Sequence, residues 1–542
     1  MIRALTDAEF PGETGFMGLY AWSWTFLVVY VSGMLAFGYI GSRRVTGADD
    51  FATARRGYGP LILSLAFAST AASGATFLGL PGLTYQYGMS TLWIAFCYPL
   101  GIYIGVMICQ RTIGRFGNDA GARSIPEFLG ERFRSEGMRL SAAIFSLILL
   151  FYLASQLVSG LVMFEMMLGL PQIWALIITT LVLLGYITLG GAHADILTDG
   201  VQGLLMVGLA VAIAVIFFLG VGIGPDVGDG TGGFANLIEG LRAEDPALLG
   251  TFNPAANTTA SIWAAITVTI AHIPLGLLPH IGNKLWALKD EGSRNRFIAM
   301  AFTFGLILPA ITLGGMTARV VLGDDLFQTA GGTNSALPAL FIEVFPTWIA
   351  ALLGVGVLSA VMSTADGLVI STSQVFANDI YRRSLAPRLH PDISQERLDR
   401  NVLTISRAMT AFTIVGAAIL GWLTMEMNVV LLMWIGVGGF VAALMGPLVI
   451  GSFWWGMTRA GALCGFWAGA ITFILIRGQF VSGEWLAGTS LARAGEWFDF
   501  YATNPYSAAT FGAIASVIAT LLVSRFTVPL PAEHLEQLRR TR

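Results

Sequence analysis

Cysteine is nearly absent from this chain: among 542 residues there are only Cys97, Cys109 and Cys464, all inside apolar runs. Three thiols so placed exclude a disulfide framework and give no zinc-ligand spacing. Charge is scarce as well. Asp, Glu, Lys and Arg make up 12% of the residues, against about 25% in ordinary soluble domains, and no segment has the composition of a separate soluble domain. There is no phosphate-binding loop and no HExxH, and the Ser-containing cluster SGATFLG lies in an apolar span without a nucleophile-elbow context. No enzyme chemistry is therefore expected, and no nucleic-acid partner or obligate protein partner is evident. The N-terminal stretch MIRALTDAEFPGETG lacks the basic-then-short-apolar layout of a secretory signal, so the first apolar span reads as retained. The tail VPLPAEHLEQLRRTR is short and polar, which leaves no large C-terminal regulatory domain.

What is present is hydrophobicity: 55% of residues are apolar and mean hydropathy is +0.72. Apolar runs long enough to cross a bilayer recur along the chain, the pattern of an all-α polytopic membrane protein. Thirteen spans are expected, near 16–41, 60–86, 89–115, 137–168, 171–190, 195–223, 259–283, 297–322, 347–378, 402–424, 428–455, 459–478 and 506–526. With the N-terminus outside, the inner loops receive all but Arg3, Arg242, Arg319, Arg477 and Arg493 of the 30 Lys and Arg residues. The loop 224–258 carries Asp226, Asp229, Glu239, Glu244 and Asp245 with Arg242 as its only basic residue. This asymmetry predicts an extracellular N-terminus and a cytoplasmic C-terminus. SIPEFLGERFR at 124–134 reads as an inner surface helix, and ALPALFIEVF at 336–345 as an outer one.

Two spans are unlike the rest. LAFASTAASGATFLGLPG at 65–82 and SAVMSTADGLVISTSQ at 359–374 concentrate small residues and hydroxyls. Lipid offers such groups no partner, so these segments must face protein, water or an ion. Spans 2–6 and 7–11 form two groups of five, hence of opposite topology. Each group opens with an interrupted helix: the first carries Ser69, Thr70, Ser73, Gly74, Gly79, Pro81 and Gly82, the second Pro274, Gly276, Pro279 and Gly282. Paired breaks of this kind point to a midplane binding site in inverted-repeat transporters. The implied division is an N-terminal segment, extra helix and linker (1–59), a first repeat (60–223), an extracellular loop (224–258), a second repeat (259–455), and two C-terminal helices with a tail (456–542).

A helix that unwinds within the membrane frees carbonyls that need partners. Ala360, Ser363 and Thr364 stand at i, i+3 and i+4, on one helical face. Their oxygens could complete a cation shell begun by the second span. The same hydroxyls read as well as helix-packing groups bonded to i−4 carbonyls, and spacing alone leaves both readings open.

The stretches FASTAASGATFLGLPG (67–82), GGAHADILTDGVQ (190–202), LPHIGNKLWALKD (278–290) and SAVMSTADGLVISTSQVFANDIY (359–381) resemble the sodium:solute symporter family, in order and over roughly residues 15–527. The resemblance implies a leucine-transporter-type fold of inverted five-helix repeats with two broken helices. It also implies sodium as the coupling ion, held by the carbonyls of Ser69, Ala72 and Ala360 and the side chains of Ser363 and Thr364. Proline carriers place an acid where Ala71 stands, which implies a weaker sodium site here. Asp199 is implied as a sodium-exit residue or second ion site; its other reading is an interfacial carboxylate capping the inner helix end. Glu165 reads as structural. The implied solute pocket lies between the broken helices, with Ser73, Thr76, Ala271, His272, Leu275 and Trp434 as candidates. Proline carriers have aromatic residues at the positions of Ala271 and Leu275, and sugar carriers offer several amides and acids, so both solutes are disfavoured. His272 is the one titratable group at pocket depth, open to a role toward a carboxylate or proton and equally to one in helix packing. Lys284 reads as part of the positive inner rim. The expected function is sodium-coupled symport of a small organic solute, a monocarboxylate or amino acid, by alternating access in a bacterial inner membrane. The rivals are a proton-coupled carrier of the same fold and a solute-binding membrane sensor.

Overall fold

The computed structural model describes residues 12–221, 233–329 and 331–540. Arg3, Asp226 and Asp229, which the charge pattern invoked, lie outside the described residues. The described residues are helical, with no strand among them; a single bridge joins Tyr58 to Leu288.

The chain runs through α1 (Gly12–Ser42), α2 (Pro60–Ala71), α3 (Leu80–Tyr87), α4 (Leu92–Asp119), α5 (Ile125–Phe133) and α6 (Glu136–Leu168). It continues through α7 (Gln172–Leu219), α8 (Ile262–His272), α9 (Pro279–Gly282), α10 (Glu291–Leu322) and α11 (Thr347–Gln374). Last come α12 (Gln395–Leu423), α13 (Val429–Leu444), α14 (Arg459–Arg477) and α15 (Pro505–Arg525). Every residue from Leu63 to Tyr85 and from Gly356 to Gln374 is buried. The hydroxyl-rich spans are thus the centre of the bundle. Lipid-type side chains are spent on the periphery, where Val28 and Val29 of α1 and Phe412, Ile419 and Leu423 of α12 are exposed.

Both expected interruptions are present. α2 ends at Ala71, Ala72 leaves helical geometry (φ −95°, ψ 87°), and a π-type turn from Ala75 to Gly79 leads into α3. α8 ends at His272, and the chain turns through Pro274 and a tight turn over Leu275–Leu277. It then extends at Leu278 (ψ 151°) before α9, with a bend of 53°. The start of the first broken element and the end of the second are tied together: Tyr58 N–H donates to Ala287 O at 3.0 Å and Lys289 N–H to Tyr58 O at 2.9 Å. α7 kinks at Gly191, whose φ of 51° and close approach to Phe51 O exclude a side chain. It packs along α1, α2 and α11.

Two expectations need revision, and the count of thirteen spans is not confirmed: among the described residues ten helices are long and apolar enough to cross a membrane, or eleven if the bent pair around Leu278 counts as one span. Pro60–Ala71 is cut short by the break that follows it, and α7 enters the count through Gly191–Leu219, beyond its kink. The segment at 124–134 does form a helix, α5, but not a surface one. Ile125 to Gly130, Arg132 and Phe133 are buried, because the polar side chains of α5 find protein partners: Glu127 accepts from Asn378 at 2.9 Å and Arg383 at 2.7 Å, and Arg132 donates to Gly451 O at 3.0 Å. Finally, Lys284 is not on a rim; it is 3% exposed in the bundle interior.

Candidate functional site

The break after Ala71 strips the usual partners from the carbonyls of residues 70–72. Gly74 N–H turns to Gln156 Oε1 of α6 at 2.9 Å, Ala75 N–H to Ser73 Oγ at 3.2 Å, and Thr76 N–H to Ser73 O at 2.8 Å. Gln156 thereby satisfies a backbone donor that the helix has given up. A Cβ on Gly74 would sit 2.6 Å from Ser159 Oγ, so this close approach requires glycine.

α11 crosses α2 at this break. Ser363 Oγ donates to Ser69 Oγ at 3.0 Å, and Thr364 Oγ1 donates to Thr70 O at 3.0 Å. Ser69, Ala72, Ala360, Ser363 and Thr364 are all buried, and the two hydrogen bonds across the crossing come from Ser363 and Thr364. Carbonyl and hydroxyl oxygens without a carboxylate suit a hard monovalent cation held reversibly.

Asp199 lies directly behind Thr70. Its Oδ2 accepts from Thr70 Oγ1 at 2.7 Å and from Lys284 Nζ, and its backbone carbonyl accepts from Ser69 Oγ at 3.1 Å. Lys284 Nζ also donates to Asp195 Oδ2 at 2.6 Å. Asp199 is 0% exposed, eight residues past the Gly191 kink, so it caps no interfacial helix end. The sequence reading treated Asp195 only as a span boundary and passed over Asp366, a buried carboxylate two residues beyond Thr364. A carboxylate inside a span is itself a signal, and this one stands in MSTADG, directly after the hydroxyls that drew the attention. Glu165 sits half-buried near the end of α6 and accepts from Gln172 at 3.3 Å.

A second cavity-forming group stands on the other side of the break. Ser73, Thr76, His272, Leu275 and Trp434 border one small cavity of about 30 Å³. Ala271 is buried beside His272 but does not border it. The cavity wall adds Tyr98, Tyr152 and Tyr506, from α4, α6 and α15, none of which the sequence reading placed there. Aromatic residues are common in apolar spans, and no spacing rule brings three distant ones together. His272 Nδ1 donates to Val268 O at 2.6 Å, which leaves Nε2 as an acceptor. Its ring packs edge-on against Trp434 at 4.9 Å and lies 5.6 Å from Tyr98 and 5.7 Å from Tyr506. Tyr98 Oη and Trp434 Nε1 are buried with no hydrogen-bond partner of good geometry among the described residues. No Asp, Glu, Lys or Arg borders this cavity.

Comparison with known proteins gives this geometry a family. Residues 51–469 match the model of the sodium:solute symporter family. The chain is 28% identical to the high-affinity proline transporter of Bacillus subtilis over 82% of this chain and 89% of that one. It is 29% identical to the sodium/proline symporter of Escherichia coli (82% and 86%) and 24% identical to the sodium/pantothenate symporter of Haemophilus influenzae (83% and 88%). Among solved structures, a Na+-coupled sialic acid symporter in a substrate-bound outward-open state shares the fold with a TM-score of 0.70 at 18% identity, covering 94% of this chain and 98% of that one. A nucleobase-cation-symport-1 family transporter in a closed conformation aligns with a TM-score of 0.51 at 15% identity, covering 91% and 98%. These relatives are transporters and not enzymes. With its paired broken helices and its match over most of its length, the chain belongs to the sodium:solute symporter family, multi-pass membrane carriers that couple the uptake of small solutes to sodium.

Proposed function

We propose that the solute is a small zwitterion of amino-acid type, bound between the two broken helices and carried inward with sodium. The observation that carries this reading is the cavity beside the break: four aromatic side chains, one imidazole, the hydroxyls of Ser73 and Thr76, and no Asp, Glu, Lys or Arg. Aromatic faces attract a compact ammonium or iminium. The unpaired donors of Trp434 and Tyr98, with Ser73 and Thr76, suit a carboxylate. His272 Nε2 suits an N–H donor. A monocarboxylate uses only half of these groups. The proline carriers among the relatives move a zwitterion, and the aromatic wall they resemble is supplied here by Tyr98, Tyr506 and Trp434 in place of Ala271 and Leu275.

Sodium enters the shell of Ser69, Ala72 and Ala360 carbonyls and Ser363 and Thr364 hydroxyls, and pins α2 to α11. Solute and ion favour each other because both order the same broken segment. One monovalent cation moving inward at about 100 mV supplies roughly 2.3 kcal/mol from the potential alone, enough to concentrate the solute by tens of fold. The positive-inside pattern supports an extracellular N-terminus and a cytoplasmic C-terminus in a bacterial inner membrane, with 60–223 and 259–455 as the two repeats.

The test is the unfolding temperature of the purified chain across a solute panel, in sodium and in potassium. Proline and other amino acids are expected to raise it in sodium only, and acetate, pyruvate and pantothenate to leave it unchanged. Stabilisation by a monocarboxylate alone contradicts the solute assignment. In liposomes, uptake of the stabilising solute driven by external acid without sodium contradicts the ion assignment.

A further inference from the structure

Lys284 is the charged group the sodium site did not need. It comes from the segment after α9, yet its ammonium reaches across to α7, where it contacts Asp195 Oδ2 at 2.6 Å and Asp199 Oδ2. The three side chains are 3%, 7% and 0% exposed. Thr70 Oγ1 reaches the same Asp199 Oδ2 at 2.7 Å, and the carbonyl of Thr70 accepts the Thr364 hydroxyl. One carboxylate oxygen therefore stands between the sodium shell and a resident ammonium. On its far side the cluster opens onto a second small cavity of about 20 Å³, bordered by Asp195, Asn283, Lys284, His280 and Ser371.

A buried carboxylate one hydroxyl away from a sodium shell has the chemistry of a second sodium ligand. Here that place is taken. An ammonium and a sodium ion carry the same charge and compete for the same oxygen, and their mutual repulsion at contact range inside a low-dielectric bundle is large. Unlike sodium, the ammonium is tied to the chain by its four-carbon stem and does not leave during the cycle.

We propose that Lys284 is a tethered cation that stands in for a second sodium ion at Asp199 and so limits the carrier to one bound sodium. Asp195 holds the ammonium in position from its other side. The inference rests on the sodium shell proposed above, and the same measurement separates the two.

The experiment is equilibrium binding of radioactive sodium to the purified full-length chain, counted as ions per chain. The wild type is expected to bind one ion with a Hill coefficient of about one. Lys284→Met, which keeps the stem and removes the charge, is expected to bind two, and Lys284→Arg to return the count to one. Adding Asp199→Asn to Lys284→Met is expected to remove the second ion. If Lys284→Met does not fold, Asp199→Asn in the wild-type background decides: a count still at one supports the proposal. Two ions on the wild type, or one on a folded Lys284→Met chain, overturns the tethered-cation role while leaving the shell intact. No saturable binding by the wild type overturns the shell itself.

Discussion

At the scale of single residues, Thr364 carries the most consequence. Its hydroxyl meets the Thr70 carbonyl at 3.0 Å, so it joins α11 to the unwound end of α2 even before any ion is considered. Thr364→Val keeps the branched shape and deletes the oxygen. Losing one buried polar contact costs about 1–3 kcal/mol, or roughly five- to a hundredfold in affinity. Half-maximal sodium activation of uptake is expected to move upward by that factor, and a sodium titration of initial rates measures it. Ser363→Ala is expected to act in the same direction. The two hydroxyls stand out in an apolar span, but their spacing fits helix packing as well as an ion, and only the resemblance to the family points them to sodium. Lys284 does not stand out. It is followed by Lys289, Arg294 and Arg296 and so reads as one more rim charge; only the fold shows that the chain turns it inward to two carboxylates on α7. The tyrosines of the cavity were illegible for a different reason. Tyr98, Tyr152 and Tyr506 lie on three different helices, α4, α6 and α15, and their meeting is a property of packing.

At the scale of elements, a broken helix survives only if its stranded backbone groups are answered. Gln156 does this for Gly74 N–H. Gln156→Leu leaves that donor buried and unpaired, a loss of about 1–3 kcal/mol. The unfolding temperature in detergent is expected to fall, and sodium affinity to fall with it because the ion binds the same segment. A variant as stable and as sodium-responsive as the wild type contradicts the role given to Gln156. The breaks themselves were readable, since Gly and Pro cluster at both. Their supports were not, because Gln156 lies on α6, a span with no break. The burial of α5 follows the same logic. SIPEFLGERFR has enough polar residues to look half-solvated, but Glu127, with Asn378 and Arg383 as partners, lets that face pack against protein.

At the scale of the whole molecule, the cavity between the broken helices is too small for an amino acid, about 30 Å³, so solute entry demands movement. One candidate latch ties α5 and the start of α6 to the continuation of α11. Glu127 bonds Arg383 and Asn378, Ser124 Oγ donates to Asp379 at 2.8 Å, and Arg139 Nη2 donates to Ser384 Oγ at 3.0 Å. Removing one buried member, as in Glu127→Gln, is expected to raise the population of the form open on this side. Thiol labelling of a Ser371→Cys reporter beside the 20 Å³ cavity is expected to quicken several-fold in that background; an unchanged rate contradicts the latch.

The central claim is that a monovalent cation bridges α2 and α11 through neutral oxygens. A sodium titration of the unfolding temperature, for the wild type and for the Ser363→Ala/Thr364→Ala double variant, reaches it most directly. The wild type is expected to gain stability steadily with the logarithm of sodium concentration and to ignore potassium, while the double variant stays flat over the same range. A double variant that rises in parallel with the wild type contradicts the claim.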